Sequence, residues 1–145
     1  MMLLEQLAMS FTASAAFGIL FNSPRDRLLQ CGITGMAGWL VYVYAMRLTL
    51  DAIPATLLAA IAVTALSQLF SKLYRTPIIV FSVSGIIPLV PGGVAYDAMR
   101  NAVQDNYELA VELAVKAFML SGAIAIGLFF SEVLNRMIRS FGNKP

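Results

Sequence analysis

The chain has 145 residues, of which 59% are hydrophobic and only 12% are charged, with a formal net charge of +2. A soluble domain carries about 25% charged residues, so a water-facing globular protein is excluded. With no His and one Cys, Cys31, the chain also cannot build Ser-His-Asp or Cys-His catalysis, a His-containing zinc site or an internal disulfide, and we expect no enzyme, metal or cofactor.

Stretches without charged residues divide the chain into membrane spans. The ranges 28–46, 52–70 and 76–94 contain no charge, and each approaches the about 20 residues needed to cross about 30 Å of hydrocarbon. Shorter apolar runs at both ends reach this length when their flanks lie at the interface. The sequence predicts an all-α integral membrane protein of about five transmembrane helices, with one domain over 1–145 and spans near 3–21, 28–47, 52–71, 76–95 and 113–133.

Basic residues favour one orientation of these spans. If the N-terminus lies outside, the inner side carries seven Lys and Arg residues and the outer side carries three. The positive-inside rule therefore predicts an N-out/C-in topology. The first apolar run lacks the basic residues that precede a cleaved signal peptide, so we interpret it as a retained helix. The inner basic residues are Arg25, Arg27, Lys72, Arg75, Arg136, Arg139 and Lys144.

Small residues recur at helical spacing in the first three spans. Such stripes let helix backbones approach closely, since lipid supplies no hydrophobic drive for helices to associate. In the third span, the alternative is that Thr56, Thr64 and Gln68 line a polar path. The first two stripes are Ser10, Ser14, Gly18 and Asn22, and Gly32, Gly35 and Gly38. Near the predicted outer end of the second span, three aromatic residues are typical of an interfacial belt: Trp39, Tyr42 and Tyr44.

The fourth span is predicted to be interrupted. Pro88 and Pro91 each remove a backbone donor, and Gly92 and Gly93 permit a positive φ, so a continuous α-helix through 84–93 is not expected. Inside hydrocarbon, the freed backbone groups must be buried in protein or face a water-filled cavity, which indicates a permeation path. The alternative is a Pro-kinked helix or a loop at the outer surface.

The two ends of such a break differ in chemistry. The freed carbonyls of Ile86, Ile87 and Leu89 can accept donors from a substrate or a coupling ion. A helix that restarts near Gly93 or Val94 presents unpaired N–H groups and the positive end of its dipole, which suit a carboxylate.

Residues 97–112 are polar on one side and apolar on the other, which predicts an interfacial amphipathic helix before the last span. Asp97 lies in its first turn, where it can cap exposed N–H groups or titrate during transport. Glu112 and Lys116 are four residues apart, in the order that favours a surface ion pair, and Lys116 can also snorkel. Ion coupling by Asp97 or Glu112 is the alternative.

Three motifs carry a resemblance to a known family: 17–25 (FGILFNSPR), 31–39 (CGITGMAGW) and 85–92 (GIIPLVPG). Over nearly its whole length the chain resembles the threonine/serine exporter (ThrE) family, specifically the small YjjB-type membrane subunit. The resemblance implies two five-helix halves, either fused or encoded as a large and a small subunit. It also implies secondary export of threonine and serine, or of dicarboxylates such as succinate, across the bacterial inner (cytoplasmic) membrane.

A carboxylate is common to these implied substrates, and we infer that they bind at the break. The expected partners are the lipid bilayer, a larger ThrE-type subunit and the small-molecule substrate, without nucleic acid. The alternatives are a homo-oligomeric channel-like protein and a non-transporting membrane assembly subunit. Asp97 and Glu112 are the candidate coupling residues. The candidate substrate-binding residues are Ser82, Ser84, Gly85, Pro88, Pro91, Gly92, Gly93, Tyr96 and Asp97.

Overall fold

The computed structural model describes residues 2–48 and 51–142, and the regular elements within them are all helical. Four helices are long and apolar enough to cross a membrane, and a bent pair of shorter helices can form a fifth crossing. The all-α membrane fold predicted from the sequence is confirmed. In chain order the helices are α1 (Met2–Leu20), α2 (Leu28–Arg47), α3 (Ala52–Tyr74), α4 (Ile78–Ile86), α5 (Gly92–Val103) and α6 (Tyr107–Gly142), with 3₁₀ turns at Arg25–Arg27 and Ile87–Leu89.

Three helices end on a residue with left-handed backbone. Asn22, Arg75 and Asp105 have φ of 54°, 52° and 60°. After each of them, the next N–H donates to a carbonyl five positions earlier, as from Ser23 N to Gly18 O at 2.9 Å. This arrangement satisfies carbonyls that a helix end would otherwise leave without a donor.

The small residues of α1 face α2. Ser10, Ser14 and Gly18 are buried, and a Cβ on Gly35 would collide with the Ser14 side chain. A Cβ on Gly18 would lie 3.0 Å from Leu28 Cδ2, so the two backbones pass close to each other at both points. The interpretation of these two stripes as packing surfaces is confirmed for the buried members, whereas Asn22 is exposed and lies beyond the end of α1.

One valine lies at the meeting point of α2, α3 and α4. A Cβ on Gly38 would collide with one methyl group of Val63, and a Cβ on Gly85 would lie 2.9 Å from the other. The two glycines therefore let α2 and α4 close around the Val63 side chain of α3. The surrounding buried hydrophobic cluster comprises Ala59, Val63, Leu89 and Ile124.

The last helix packs against α3 through a second close contact. A Cβ on Gly127 would lie 2.7 Å from Ala60 Cβ and 3.1 Å from the Leu57 carbonyl oxygen. Close approach of backbones at small residues is the usual way in which membrane helices associate. The opposite side of α6 is largely exposed, with Phe118, for example, 80% accessible.

The fourth span is bent by 50° between Ile78–Leu89 and Gly92–Val103. Leu89 Cδ1 lies 3.8 Å from the position of a Cβ on Gly38, which is the eleventh of the twenty residues of α2. Pro88 Cγ lies 3.4 Å from the corresponding position on Gly35. The break is therefore level with the middle of α2 and is not a loop at the end of the bundle.

The predicted interruption of the fourth span is confirmed, since the α-helix ends at Ile86, a 3₁₀ turn runs to Leu89 and α5 begins at Gly92. The positive φ that glycine permits is not used, because no glycine in the described residues has one, and Gly92 and Gly93 form the first turn of α5. Val90 is extended (φ −63°, ψ 127°), because an X–Pro residue is driven out of the α region.

The predicted amphipathic helix 97–112 is also not continuous. It is divided between α5, which ends at Val103, and α6, which begins at Tyr107. Asp105 takes the left-handed conformation between them, and Asn106 N donates to Asn101 O at 2.9 Å. The polar residues between α5 and α6 favour a left-handed helix end, and this preference ends α5 although the helical periodicity of the sequence continues.

Candidate functional site

A cavity of about 210 Å³ adjoins the break. Its walls come from α2, α3, α5, α6 and the segment between α4 and α5. Pockets for drug-sized ligands measure about 300–1,000 Å³, so this space suits a small metabolite. The lining residues are Trp39, Tyr42, Thr56, Pro88, Leu89, Val90, Pro91, Gly93, Val94 and Leu120.

A second cavity, of about 290 Å³, lies on the α1 side of the same break. Trp39 and Pro88 line both cavities and therefore form part of the wall between them. The Trp39 indole is 5.2 Å from the Tyr42 ring, centroid to centroid. Its Nε1 donates a hydrogen bond of 3.4 Å to Gln6 Oε1 of α1. An aromatic side chain with one bond to a neighbouring helix thus separates two spaces at mid-helix depth.

The N-terminus of α5 lies at the first cavity. Gly92 N donates to Val90 O at 2.8 Å, and the bond from Ala95 N to Pro91 O begins the helical ladder at 3.0 Å. No side chain caps this end. The N–H groups of Gly93 and Val94 precede the ladder, and both residues line the cavity. Donors at a helix start favour an anion, and the helix dipole adds to that preference.

The structure brings three of the predicted substrate-binding residues together. Pro88, Pro91 and Gly93 line the cavity of about 210 Å³. The backbone chemistry expected of the break is therefore available in one place, although most of the predicted side chains lie elsewhere.

Ser84 and Gly85 lie in helix packing and do not line this cavity. Ser84 is 1% exposed, and its Oγ donates to Val80 O at 2.9 Å. A Cβ on Gly85 would lie 2.6 Å from Thr34 Cγ2. Ser84 instead borders a separate, largely apolar cavity of about 330 Å³ that also contacts Phe21.

The other predicted side chains are outside both cavities at the break. Ser82 is partly exposed on α4, and Gly92 has open space around its Cβ position. Tyr96 is 65% exposed. Glu112 is exposed on α6.

Asp97 does not cap the start of α5, so the capping interpretation is wrong. Its carboxylate lies 4.0 Å from Arg100 Nη1, with both side chains about half exposed. The Asp97 carbonyl accepts a hydrogen bond of 2.8 Å from Asn101 Nδ2. Asp97 is one turn after Gly93 on α5, and it does not line the cavity.

The sequence interpretation missed the aromatic wall. Trp39 and Tyr42 were expected in an interfacial belt, but both are half-buried and line the cavity. Trp39 is the twelfth of twenty residues in α2. Their spacing from Gly35 and Gly38 places them on the packed face of the helix, and this pattern could have identified them. Tyr44, at 63% exposed, has the accessibility of a belt residue.

The predicted polar path along α3 is not formed at Thr56 and Thr64. Their hydroxyls donate to Ala52 O at 2.7 Å and to Ala60 O at 2.9 Å, within their own helix. Thr64 is only 3% exposed. Thr56, at 2% exposed, is the one of the pair that borders the cavity, and its hydroxyl oxygen retains acceptor capacity.

A family model described as Threonine/Serine exporter, ThrE, matches residues 6–134, which include the break and every residue that lines the cavity. This match confirms the resemblance noted in the sequence motifs. No solved structure matches the chain.

Proposed function

The chain belongs to the threonine/serine exporter family, and we propose that it is the small subunit of a two-component secondary exporter in the bacterial inner membrane. Its substrates are small carboxylate-bearing metabolites, either threonine and serine or dicarboxylates such as succinate. A larger family member supplies the other half of the path, and the small subunit inserts N-out/C-in. The observation that carries this proposal is the cavity beside a helix break at mid-helix depth.

The proposed binding mode uses the two chemistries that line the cavity. The substrate carboxylate accepts hydrogen bonds from the N–H groups of Gly93 and Val94, where the dipole of α5 is positive. An amino group, where the substrate has one, lies against the faces of Trp39 and Tyr42, whose ring quadrupoles attract a cation. Thr56 Oγ1 accepts a further hydrogen bond from the substrate.

We propose that the bent pair α4–α5 is the moving element. A helix break frees backbone groups and concentrates rotation at a few residues, so α5 can tilt about Val90 and Pro91 while α4 stays packed on Val63. Trp39 and Pro88 stand between the two cavities at this point. Tilting of α5 would change which of the two cavities is continuous with the substrate site.

Asp97 is the proposed coupling residue. It lies one turn after Gly93, and Arg100 is 4.0 Å from its carboxylate. This charge pair lies within two turns of the N–H groups that bind the substrate, so a change in the pair would alter substrate binding. Glu112 is the second candidate, on the following helix.

The test is export from cells that express this chain together with a larger family member, each subunit alone, and neither. We expect export of labelled substrate only when both are present, and a loss of export in the Asp97→Asn variant with intact uptake of control solutes. Export by the larger member alone would contradict the subunit assignment. Reporter fusions to each terminus, expected outside for the N-terminus and inside for the C-terminus, test the topology separately.

A further inference from the structure

The largely apolar cavity of about 330 Å³ lies between the turn that follows α1 and the first two turns of α4. Two of its apolar residues are exposed, Phe21 at 55% and Ile79 at 63%, so the cavity opens on the outer surface of the bundle. It shares no described lining residue with the two cavities at the break. The lining residues are Phe21, Ser23, Ile79, Val80, Val83 and Ser84.

Two basic turns of the chain meet at this end of the bundle. Arg27 Cζ lies 4.6 Å from the centroid of the Tyr74 ring, which brings the turn between α1 and α2 beside the turn between α3 and α4. Arg25 lies on the first turn and Arg75 on the second, and both are exposed. Asp26 pairs with Arg27 at 3.1 Å. Among the residues that the structure describes, Arg25 and Arg75 form no ion pair, so two guanidinium groups are available to an anion.

The cavity begins next to these two arginines. Ser23 precedes Arg25 by two residues and Ile79 follows Arg75 by four, so the backbones are separated by at most about 7 Å and about 14 Å. The Ser23 hydroxyl has no hydrogen-bond partner within the described part of the chain. From Ile79 the cavity continues along α4 to Val83, about 6 Å further. A basic and polar entrance therefore leads into an apolar interior.

We propose that this cavity binds an anionic phospholipid, with the phosphate at Arg25 and Arg75 and the upper part of one acyl chain in the cavity. A guanidinium presents paired donors that match the oxygens of a phosphate. Both arginines lie on turns that join apolar helices long enough to cross a membrane, which is the depth of phospholipid headgroups.

The two ends of the cavity together select this class of ligand. A soluble anion would leave the apolar wall uncovered. A zwitterionic phospholipid such as phosphatidylcholine would cover the wall but place a cation beside two arginines. An anionic phospholipid complements both the charge at the entrance and the apolar interior.

The lipid site is independent of the proposed export. Its lining residues are different from those at the break, and the binding chemistry does not involve the exported substrate. The bound lipid would contact both the end of α1 and the start of α4. Since a ligand of the folded state stabilises that state, phosphatidylglycerol should raise the unfolding temperature above its value in phosphatidylcholine.

Photolabelling by two lipids with identical acyl chains tests the site. The purified full chain is reconstituted in phosphatidylcholine vesicles that contain a trace of phosphatidylglycerol or phosphatidylcholine with a diazirine near the top of one chain. Peptides that contain Phe21 or residues 79–84 should carry at least about fivefold more label from phosphatidylglycerol, because each basic residue near a headgroup adds about fivefold to the attraction. Equal labelling by the two lipids would overturn the proposal, since the cavity would then hold surrounding lipid without preference.

Charge variants test the headgroup contact. Arg25→Gln and Arg75→Gln should each lower labelling by phosphatidylglycerol about fivefold and leave labelling by phosphatidylcholine unchanged. Arg47→Gln is the matched control, since Arg47 is exposed at the other end of α2. Labelling that persists in both arginine variants would contradict the proposal.

Val83→Phe tests the acyl-chain contact without a change of charge. The larger side chain fills the cavity and should reduce labelling several-fold, whereas Val115→Phe, on the exposed side of α6, should not. The unfolding temperature of each variant in phosphatidylcholine checks that the fold is kept. Displacement of the label by inorganic phosphate, but not by sodium chloride of the same ionic strength, would overturn the proposal, because the anion alone would then be the ligand.

Discussion

Trp39 Nε1 and Gln6 Oε1 are joined by a hydrogen bond of 3.4 Å that links α2 to α1. Gln6 lines only the cavity on the α1 side, whereas Trp39 lines both. The bond therefore lies at the boundary between two spaces that meet at the helix break. Its length places it at the weak end of protein hydrogen bonds, so the ring is held mainly by packing against Tyr42 and the core.

Removal of the Trp39 ring should impair export. Trp39→Ala joins the two cavities and removes the aromatic wall, so we expect export about tenfold slower, equivalent to about 1.4 kcal/mol. Trp39→Phe keeps a ring and loses only the bond to Gln6, and should stay within about threefold of the unmodified chain. Efflux of labelled substrate, normalised to subunit abundance in the membrane, measures both. Tyr44→Ala is the control, and wild-type export by Trp39→Ala would contradict the assignment.

Substitutions at two adjacent glycines distinguish the effect of filling the cavity from the effect of damaging the helix. Gly92 and Gly93 both have open space at the Cβ position in the first turn of α5, but only Gly93 lines the cavity. Gly93→Leu should therefore fold normally and lose export, because the new side chain occupies the substrate space. Gly92→Leu should fold equally well and retain most export. Thermal unfolding in detergent checks that both variants fold, and efflux measures their export. Equal export by the two variants would remove Gly93 from the site.

The length of the spans and the position of the break follow from local chemistry. Hydrocarbon thickness sets how many uncharged residues a span needs, and Pro88 and Pro91 interrupt hydrogen bonding wherever they occur. The direction in which each side chain points depends instead on rotation of the helices, which is fixed where three of them close around Val63. For this reason Ser84, four residues before a predicted site proline, is buried against Val80, whereas Trp39, distant in sequence, lines the cavity.

Restoration of the backbone donors should affect stability and export in opposite directions. Pro88→Ala/Pro91→Ala returns two N–H groups to the fourth span, and helix propensity favours Ala over Pro by up to about 3 kcal/mol. We expect a higher unfolding temperature, a smaller angle than the present 50°, and export reduced at least about tenfold because α5 no longer tilts freely. Spin labels at Ile79 and Met99, both exposed, report the angle.

Pro54→Ala is the matched control for this pair. Pro54 lies in the first turn of α3, where proline removes no helical bond, and it is exposed. Its replacement should change neither the bend nor export. If the double variant straightened the fourth span and still exported normally, the break would have no part in transport.

Replacement of Gly85 tests whether this residue, predicted to bind substrate, serves helix packing instead. Its missing Cβ is what allows Thr34 and Val63 to contact α4, with 2.6 Å and 2.9 Å between the Cβ position and their methyl carbons. Gly85→Ala should therefore lower the free energy of unfolding by about 1–3 kcal/mol through overpacking. Export per folded molecule should change little, because Gly85 does not line the cavity at the break. Unfolding in detergent and efflux measured on the same preparation separate the two effects. Unchanged stability with lost export would instead return Gly85 to the substrate site, and would mean that α4 moves away from Val63 during transport.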